Sequence, residues 1–390
     1  MEKIKKEIIN FTKKLVRIHS QGGIDSEKEI AKFIFEKLKN FGFSPKIIGP
    51  KEHPSVICFL KKPGAKKIIW LESHLDTVPA GDLSKWKYPP FRGVIKGGKM
   101  YGGGAADSKI GIAIFSYLAK DLFRNSEFKG NIFLSFSADE ESGNFTGMKE
   151  ILKISPKADI CILGYQGNEE ISIGARGFLR FKLTTFGKSA HTGSRSKKGI
   201  NAIHKMQKAI GAILDLPFLK QKEKFFEFGS SLNVSVIKGG KMINVVPDIC
   251  EALLDIRIIP SQEPKEILRK TNQKLKEIKK KDKDFKFKIQ VLQNQKAFLT
   301  NSNEPFLKIL KEKAEKILKG EIPFRTSGAG SVGNLISKKG IPVLNGFGCD
   351  CGNIHASNEW VNIGDLPKIL KIFEKTLTDF SKNDIWNQGN

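Results

Sequence analysis

An apolar run, Ile68 to Leu71, passes directly into Glu72-Ser73-His74-Leu75-Asp76-Thr77. The run reads as a buried strand that ends abruptly in polar groups. Side chains two apart in an extended segment share a face, so His74 and Asp76 point the same way. An imidazole beside a carboxylate suits a metal ligand with the partner that orients it. An isolated His-x-Asp is also explained as a polar strand cap, so the reading depends on what else the chain supplies.

Two further stretches bear on it. Tyr101-Gly102-Gly103-Gly104-Ala105-Ala106-Asp107-Ser108-Lys109 places a glycine triplet before an acid, where neighbouring groups can approach closely. A strongly apolar helix, Ile110 to Phe123, follows it. A phosphate-cradling loop is excluded, because the Gly-x4-Gly-Lys-Ser/Thr pattern is absent and Asp107 repels phosphate. The strand Asn131 to Ser137 runs into Ala138-Asp139-Glu140-Glu141. Three acids at a strand exit repel one another unless a cation or a proton relieves them, or water solvates the turn.

At 390 residues the chain exceeds what one core usually holds, so two domains are expected. No run reaches the ~20 apolar residues that span a bilayer. The opening Met-Glu-Lys-Ile-Lys-Lys is an amphipathic helix with mixed charges and no continuous apolar signal core, so a cytoplasmic location is expected, away from membranes. Five cysteines, mostly in apolar runs, fit buried free thiols. Cys349 and Cys351 precede His355 but lack the second pair of a structural zinc site. The charge of +26 is spread along the chain, and no zinc finger, aromatic RNA-binding strand or basic helix accompanies it, so no nucleic-acid partner is expected.

Helical spacing marks 2–18 and 26–41, and strands are expected at Phe43–Ile48 and Ser55–Leu60. Residues 79–100 read as loop, and another strand, Asp159–Leu163, ends at Gly164-Tyr165. Strands alternating with helices indicate an α/β domain with site residues at strand ends. From Gly177 the order becomes β-α-β-β-α-β, that of a ferredoxin-like unit, before a mixed pattern resumes. The expected architecture is therefore a discontinuous α/β mixed-sheet domain, 1–176 and 294–390, carrying an inserted ferredoxin-like domain, 177–293.

Five stretches in order now resemble the zinc-dependent family of aminoacylases, acetylornithine deacetylase, succinyl-diaminopimelate desuccinylase and glutamate carboxypeptidase. They are Ser73-His74-Leu75-Asp76-Thr77-Val78-Pro79-Ala80-Gly81-Asp82, the Tyr101–Lys109 stretch, Ala138-Asp139-Glu140-Glu141, Gly187-Lys188-Ser189-Ala190-His191, and Ile354-His355-Ala356 with Asn358-Glu359. The resemblance implies that His74 binds one metal, that Asp107 bridges two, and that the second takes Glu141 and His355. It implies Glu140 as general base and Asp76 as the partner orienting His74. It also implies a cis peptide after Asp107. His191 in such enzymes reaches the partner subunit's site and bonds the developing oxyanion, implying a homodimer. Asn244 and Arg176 sit where relatives hold the substrate, Arg176 suiting a free carboxylate.

The implied function is a metal-dependent amidohydrolase acting on an N-acyl amino acid, with one or two Zn2+ per subunit, or Co2+ or Mn2+. A di- or tripeptidase or carboxypeptidase of the same family and a weakened binding homologue are the alternatives. Two positions depart from the pattern. Tyr165 stands where relatives place an acid that completes the His74 site, with Glu169 and Glu170 nearby. Ser327-Gly328-Ala329-Gly330-Ser331 lacks the acid of a related loop.

Overall fold

The computed structural model describes residues 2–195 and 198–382. The chain divides into two compact units. One contains the residues up to Gly174, Thr300–Thr326 and those from Ser331 on; the other contains Ala175–Leu299 and Ser327–Gly330.

The first unit is built on a six-stranded sheet in the order Lys46–Ile48, Ser55–Leu60, Asn131–Ser137, Ile68–His74, Ile160–Leu163, Val343–Leu344. Ile68–His74 lies parallel to both of its neighbours, whereas Ser55–Leu60 runs antiparallel to Asn131–Ser137. Every residue of Asn131–Ser137 is buried, as a central strand covered on both faces requires. The helix Ile110–Arg124 packs on Ile68–His74 and Asn131–Ser137 and against the helix Glu2–Arg17. Its buried residues run around most of its circumference, from Ile110 through Ala119, which explains its nearly continuous apolar sequence. Glu2–Arg17 instead buries one stripe, Ile8, Phe11, Leu15 and Val16, and leaves its lysines to solvent.

Part of the expected loop 79–100 is ordered as strand. Val94–Lys96 and Lys99–Tyr101 form a hairpin, which joins Trp360–Asn362 and Cys351–Gly352 in a four-stranded sheet. Its turn is Gly97-Gly98, both with positive φ (58° and 76°), a conformation glycine adopts without steric cost. Three-residue strands are too short to show a period, and their partner comes from the far end of the chain.

The second unit has the element order Gly177–Phe186, Ala202–Leu214, Ser231–Gly239, Ile249–Ile258, Pro264–Lys281, Lys286–Gln295, which is β-α-β-β-α-β apart from a short 3-10 turn. Its sheet order is Ser231–Gly239, Ile249–Ile258, Gly177–Phe186, Lys286–Gln295, antiparallel throughout. That is the ferredoxin-like arrangement. The helices cover one face, where Met206, Ile213, Ile267 and Leu275 pack on Phe181, Leu183, Leu254 and Ile256.

Candidate metal centre

Parallel pairing brings three strand exits of the first unit to one edge. His74 is in register with Ser137, and Glu72 with Leu163, so the residues that follow emerge together. From the first exit come His74 and Asp76, from the second Glu140 and Glu141, from the third Tyr165. The acidic turn departs from ordinary backbone at Asp139 (φ 60°), whose carbonyl accepts from Phe145 N and whose carboxylate accepts from the Thr146 hydroxyl.

Asp107 reaches the same place through the glycine loop. Gly104 has φ 75°, and a Cβ there would collide with the Thr77 side chain. The Glu359 carboxylate accepts the backbone N–H groups of Gly104 (2.8 Å), Ala106 (2.8 Å) and Asp107 (3.1 Å), and so folds the loop around itself. The Asp107–Ser108 peptide is cis, as the resemblance implied. The Ser108 hydroxyl accepts from His74 N and bonds the Ser73 hydroxyl, tying loop to strand. His355 lies between the strands Cys351–Gly352 and Trp360–Asn362, in a turn where Asn353, His355 and Asn358 all have φ between 55° and 64°. Asn358 pins that turn by accepting from Lys87 N and donating to Lys85 O.

The donors converge. His74 Nε2 is 2.8 Å from Asp107 Oδ1, and His355 Nε2 is 3.0 Å from Asp107 Oδ2 and 3.2 Å from Glu141 Oε1. Among the described residues, two groups can each offer three ligand atoms lying within 4.8 Å of one another: Asp107, Glu141 and His355, and His74, Glu140 and Glu141. These residues fit a divalent cation. Four carboxylates (Asp76, Asp107, Glu140, Glu141) crowd two imidazoles, and one ring proton on His355 cannot fully satisfy both oxygens it faces.

The titration behaviour reports the same crowding. Burial, and then the carboxylates of Glu141, Asp76 and Asp107, push Glu140 up to about 8 against the opposing effect of His74. Burial alone raises Asp107, but its hydrogen bonds to His355 and His74 outweigh that and hold it well below the usual range. Those to Asp107 and Glu141 raise His355 to about 10. Burial lifts Glu359 to about 7 and lowers Lys109, whose ammonium donates to Ile18 O at 2.9 Å, also to about 7.

Several expected roles change in detail. His74 Nδ1 is 2.9 Å from the Asp76 main-chain carbonyl and 3.5 Å from its carboxylate, so the backbone makes the shorter orienting contact. The Asp76 carboxylate also accepts from Glu140 N (3.1 Å) and Glu141 N (2.9 Å), shaping the acidic turn. Tyr165 directs its hydroxyl to Glu140 Oε1 at 2.7 Å. Glu169 and Glu170 are exposed and belong to neither donor group. Glu359 stands next to the His355 turn in sequence, but the partners of its carboxylate lie in the glycine loop.

Within the second unit, His191 is exposed, and its Nδ1 accepts from Gly193 N at 3.1 Å. Its loop is joined to that of Asn244 by Thr192 N donating to Asn244 O. Arg176 donates to Gly328 O, Gly229 O and the Ser231 hydroxyl, so its guanidinium holds together the backbone of the Ser327–Gly330 loop and the segment 229–231.

A family model described as peptidase family M20/M25/M40 matches residues 70–379. The chain is 30% identical to an uncharacterized metallohydrolase of Methanocaldococcus jannaschii, covering 95% of this chain and 98% of that protein. It is 29% identical, with coverage of 95% and 98%, to the succinyl-diaminopimelate desuccinylase of Pelagibacter ubique. Among solved structures, an M20 family metallo-carboxypeptidase from Sulfolobus solfataricus superposes with a TM-score of 0.82 at 22% identity, covering 96% and 99% of the two chains. That last likeness concerns the fold.

Proposed function

The chain belongs to peptidase family M20/M25/M40, and from that premise we propose that it is a zinc-dependent amidohydrolase releasing the amine of an N-acyl amino acid. The observation that carries the reading is the convergence of Asp107, Glu141 and His355 with a further carboxylate, Glu140, beside them. Similarity to a desuccinylase along nearly the whole chain favours an N-acyl substrate. A bound zinc ion supplies Lewis acidity and lowers the pKa of water. Asp107, Glu141 and His355 are the residues to hold it. Glu140, a buried carboxylate beside that donor group and outside it, is placed to take a proton from water and pass it to the leaving amine. His191 and Asn244 serve the substrate, while Arg176 shapes the loop that borders it. The free, mostly buried cysteines fit a reducing cytoplasm, and among the described residues no helix is long and apolar enough to cross a membrane.

The test is amine release from a panel of N-acetyl and N-succinyl amino acids and dipeptides. Turnover of N-acyl amino acids, lost on chelation and restored by zinc, is expected. Turnover of dipeptides alone establishes the peptidase alternative, and no turnover a binding homologue.

The working unit we propose is a homodimer joined through the second unit. The edge strand Ser231–Gly239 and the segment after it expose Ile237 (55%), Met242 (66%) and Ile243 (101%). An open antiparallel edge can pair with its own copy across a two-fold axis. The opposite edge, Lys286–Gln295, carries Lys286 and Lys288, which oppose self-pairing. Ile237→Asp combined with Ile243→Asp is expected to convert a dimer to a monomer in sedimentation equilibrium. A monomeric wild type rules the proposal out.

A further inference from the structure

The two donor groups share Glu141, and the group around His74 is complete only if Glu140 also serves as a ligand. The Tyr165 hydroxyl donates to Glu140 Oε1 at 2.7 Å, so a proton already points at that oxygen and opposes a cation there. Neither partner is free to drift. Glu140 N is held by Asp76 Oδ1 at 3.1 Å. Tyr165 is anchored on both sides in the chain. Gly164 N donates to Glu72 O (2.7 Å), and Gly167 N donates to Cys349 O (2.8 Å). The Gln166 side chain closes the same turn, its amide nitrogen donating to Gly164 O and its oxygen accepting from Cys349 N. The Tyr165 ring stands 5.7 Å from the His74 ring.

We propose that Tyr165 is a positioning residue that keeps Glu140 out of metal coordination, so that each chain holds one tight ion, on Asp107, Glu141 and His355, with Glu140 reserved as the base. This rests on the amidohydrolase reading above. Without Glu140 the group around His74 keeps two of its three donors, His74 and Glu141, and Glu141 also belongs to the other group. Two protein donors leave an ion largely hydrated and weakly held, whereas three with an open position suit a catalytic zinc.

The experiment is calorimetric titration of zinc into chelator-stripped protein, which reads ion binding whether or not any substrate is turned over. The wild type is expected to bind one tight ion per chain. Tyr165→Phe keeps the ring but frees Glu140, and is expected to bind a second ion at least about tenfold more tightly than the wild type does. The double variant Tyr165→Phe/Glu140→Gln is expected to return to one. On whichever substrate the panel identifies, Tyr165→Phe is expected to lower kcat with KM little changed. Two equally tight ions in the wild type overturn the proposal. So does loss of the single tight ion in Tyr165→Phe, which makes the tyrosine a ligand, or the absence of any second ion in that variant. A protein that hydrolyses no member of the panel refutes the amidohydrolase reading while the ion counts still decide the role of Tyr165.

Discussion

Glu140→Gln is expected to lower kcat by about 10²- to 10⁴-fold, the usual worth of a positioned general base, while bound zinc stays at the wild-type level. The amide keeps the shape of the side chain and its contact with the Tyr165 hydroxyl, but it cannot take a proton from water. Glu140 lies outside the Asp107–Glu141–His355 donor group, so removing its charge leaves those three donors in place. Glu141→Gln is the contrast: it loses one of the three donors and is expected to lose metal and activity together. Metal analysis of both purified variants, beside kcat and KM, separates the roles. Equal metal loss in the two makes Glu140 a ligand and removes its assignment as base.

Glu359→Ala is expected to cost about 3–6 kcal/mol of stability and most of the zinc affinity. The reasoning is a count of stranded donors. Three backbone N–H groups, of Gly104, Ala106 and Asp107, end on this one buried carboxylate. Leaving a buried donor unsatisfied costs about 1–3 kcal/mol each, and water entering the vacated space offsets part of that. Because the same bonds set the backbone of Asp107, the loss reaches the metal donors as well as the fold. Glu359→Gln retains one acceptor oxygen and is expected to lose less than half as much. Urea unfolding of the metal-free proteins isolates the fold contribution, and zinc titration isolates the site. A Glu359→Ala protein as stable as wild type shows that the loop does not depend on the carboxylate.

The sequence by itself determined the strands that carry the site, because apolar runs such as Ile68–Leu71 and Asn131–Ser137 can be satisfied only in the interior. It also showed which acids and imidazoles stand at strand exits, and the family resemblance, rather than spacing, implied which of them serve as donors. The ferredoxin-like order from Gly177 was legible for a similar reason: its strands and helices are long enough to show their periods.

Tertiary structure decided the contacts between residues far apart in the chain, on which local periodicity is silent. The Val94–Tyr101 hairpin has strands of three residues and gains its place only by pairing with Trp360–Asn362. Asp76 reads as the partner of His74 from their spacing, yet parallel pairing brings Glu140 N and Glu141 N to its carboxylate, and only the main-chain carbonyl is left closest to the imidazole. Glu359 has nothing nearby in sequence to bond, and acquires a role when the glycine loop closes over it. Tyr165, a poor candidate ligand by chemistry, finds its partner because the strand Ile160–Leu163 exits beside Ile68–His74 and within reach of the Glu140 turn. Such partnerships arise from strand order and register, which bring far-apart donors and acceptors within hydrogen-bonding distance, whereas the local pattern of residues specifies only which groups each strand end has to offer.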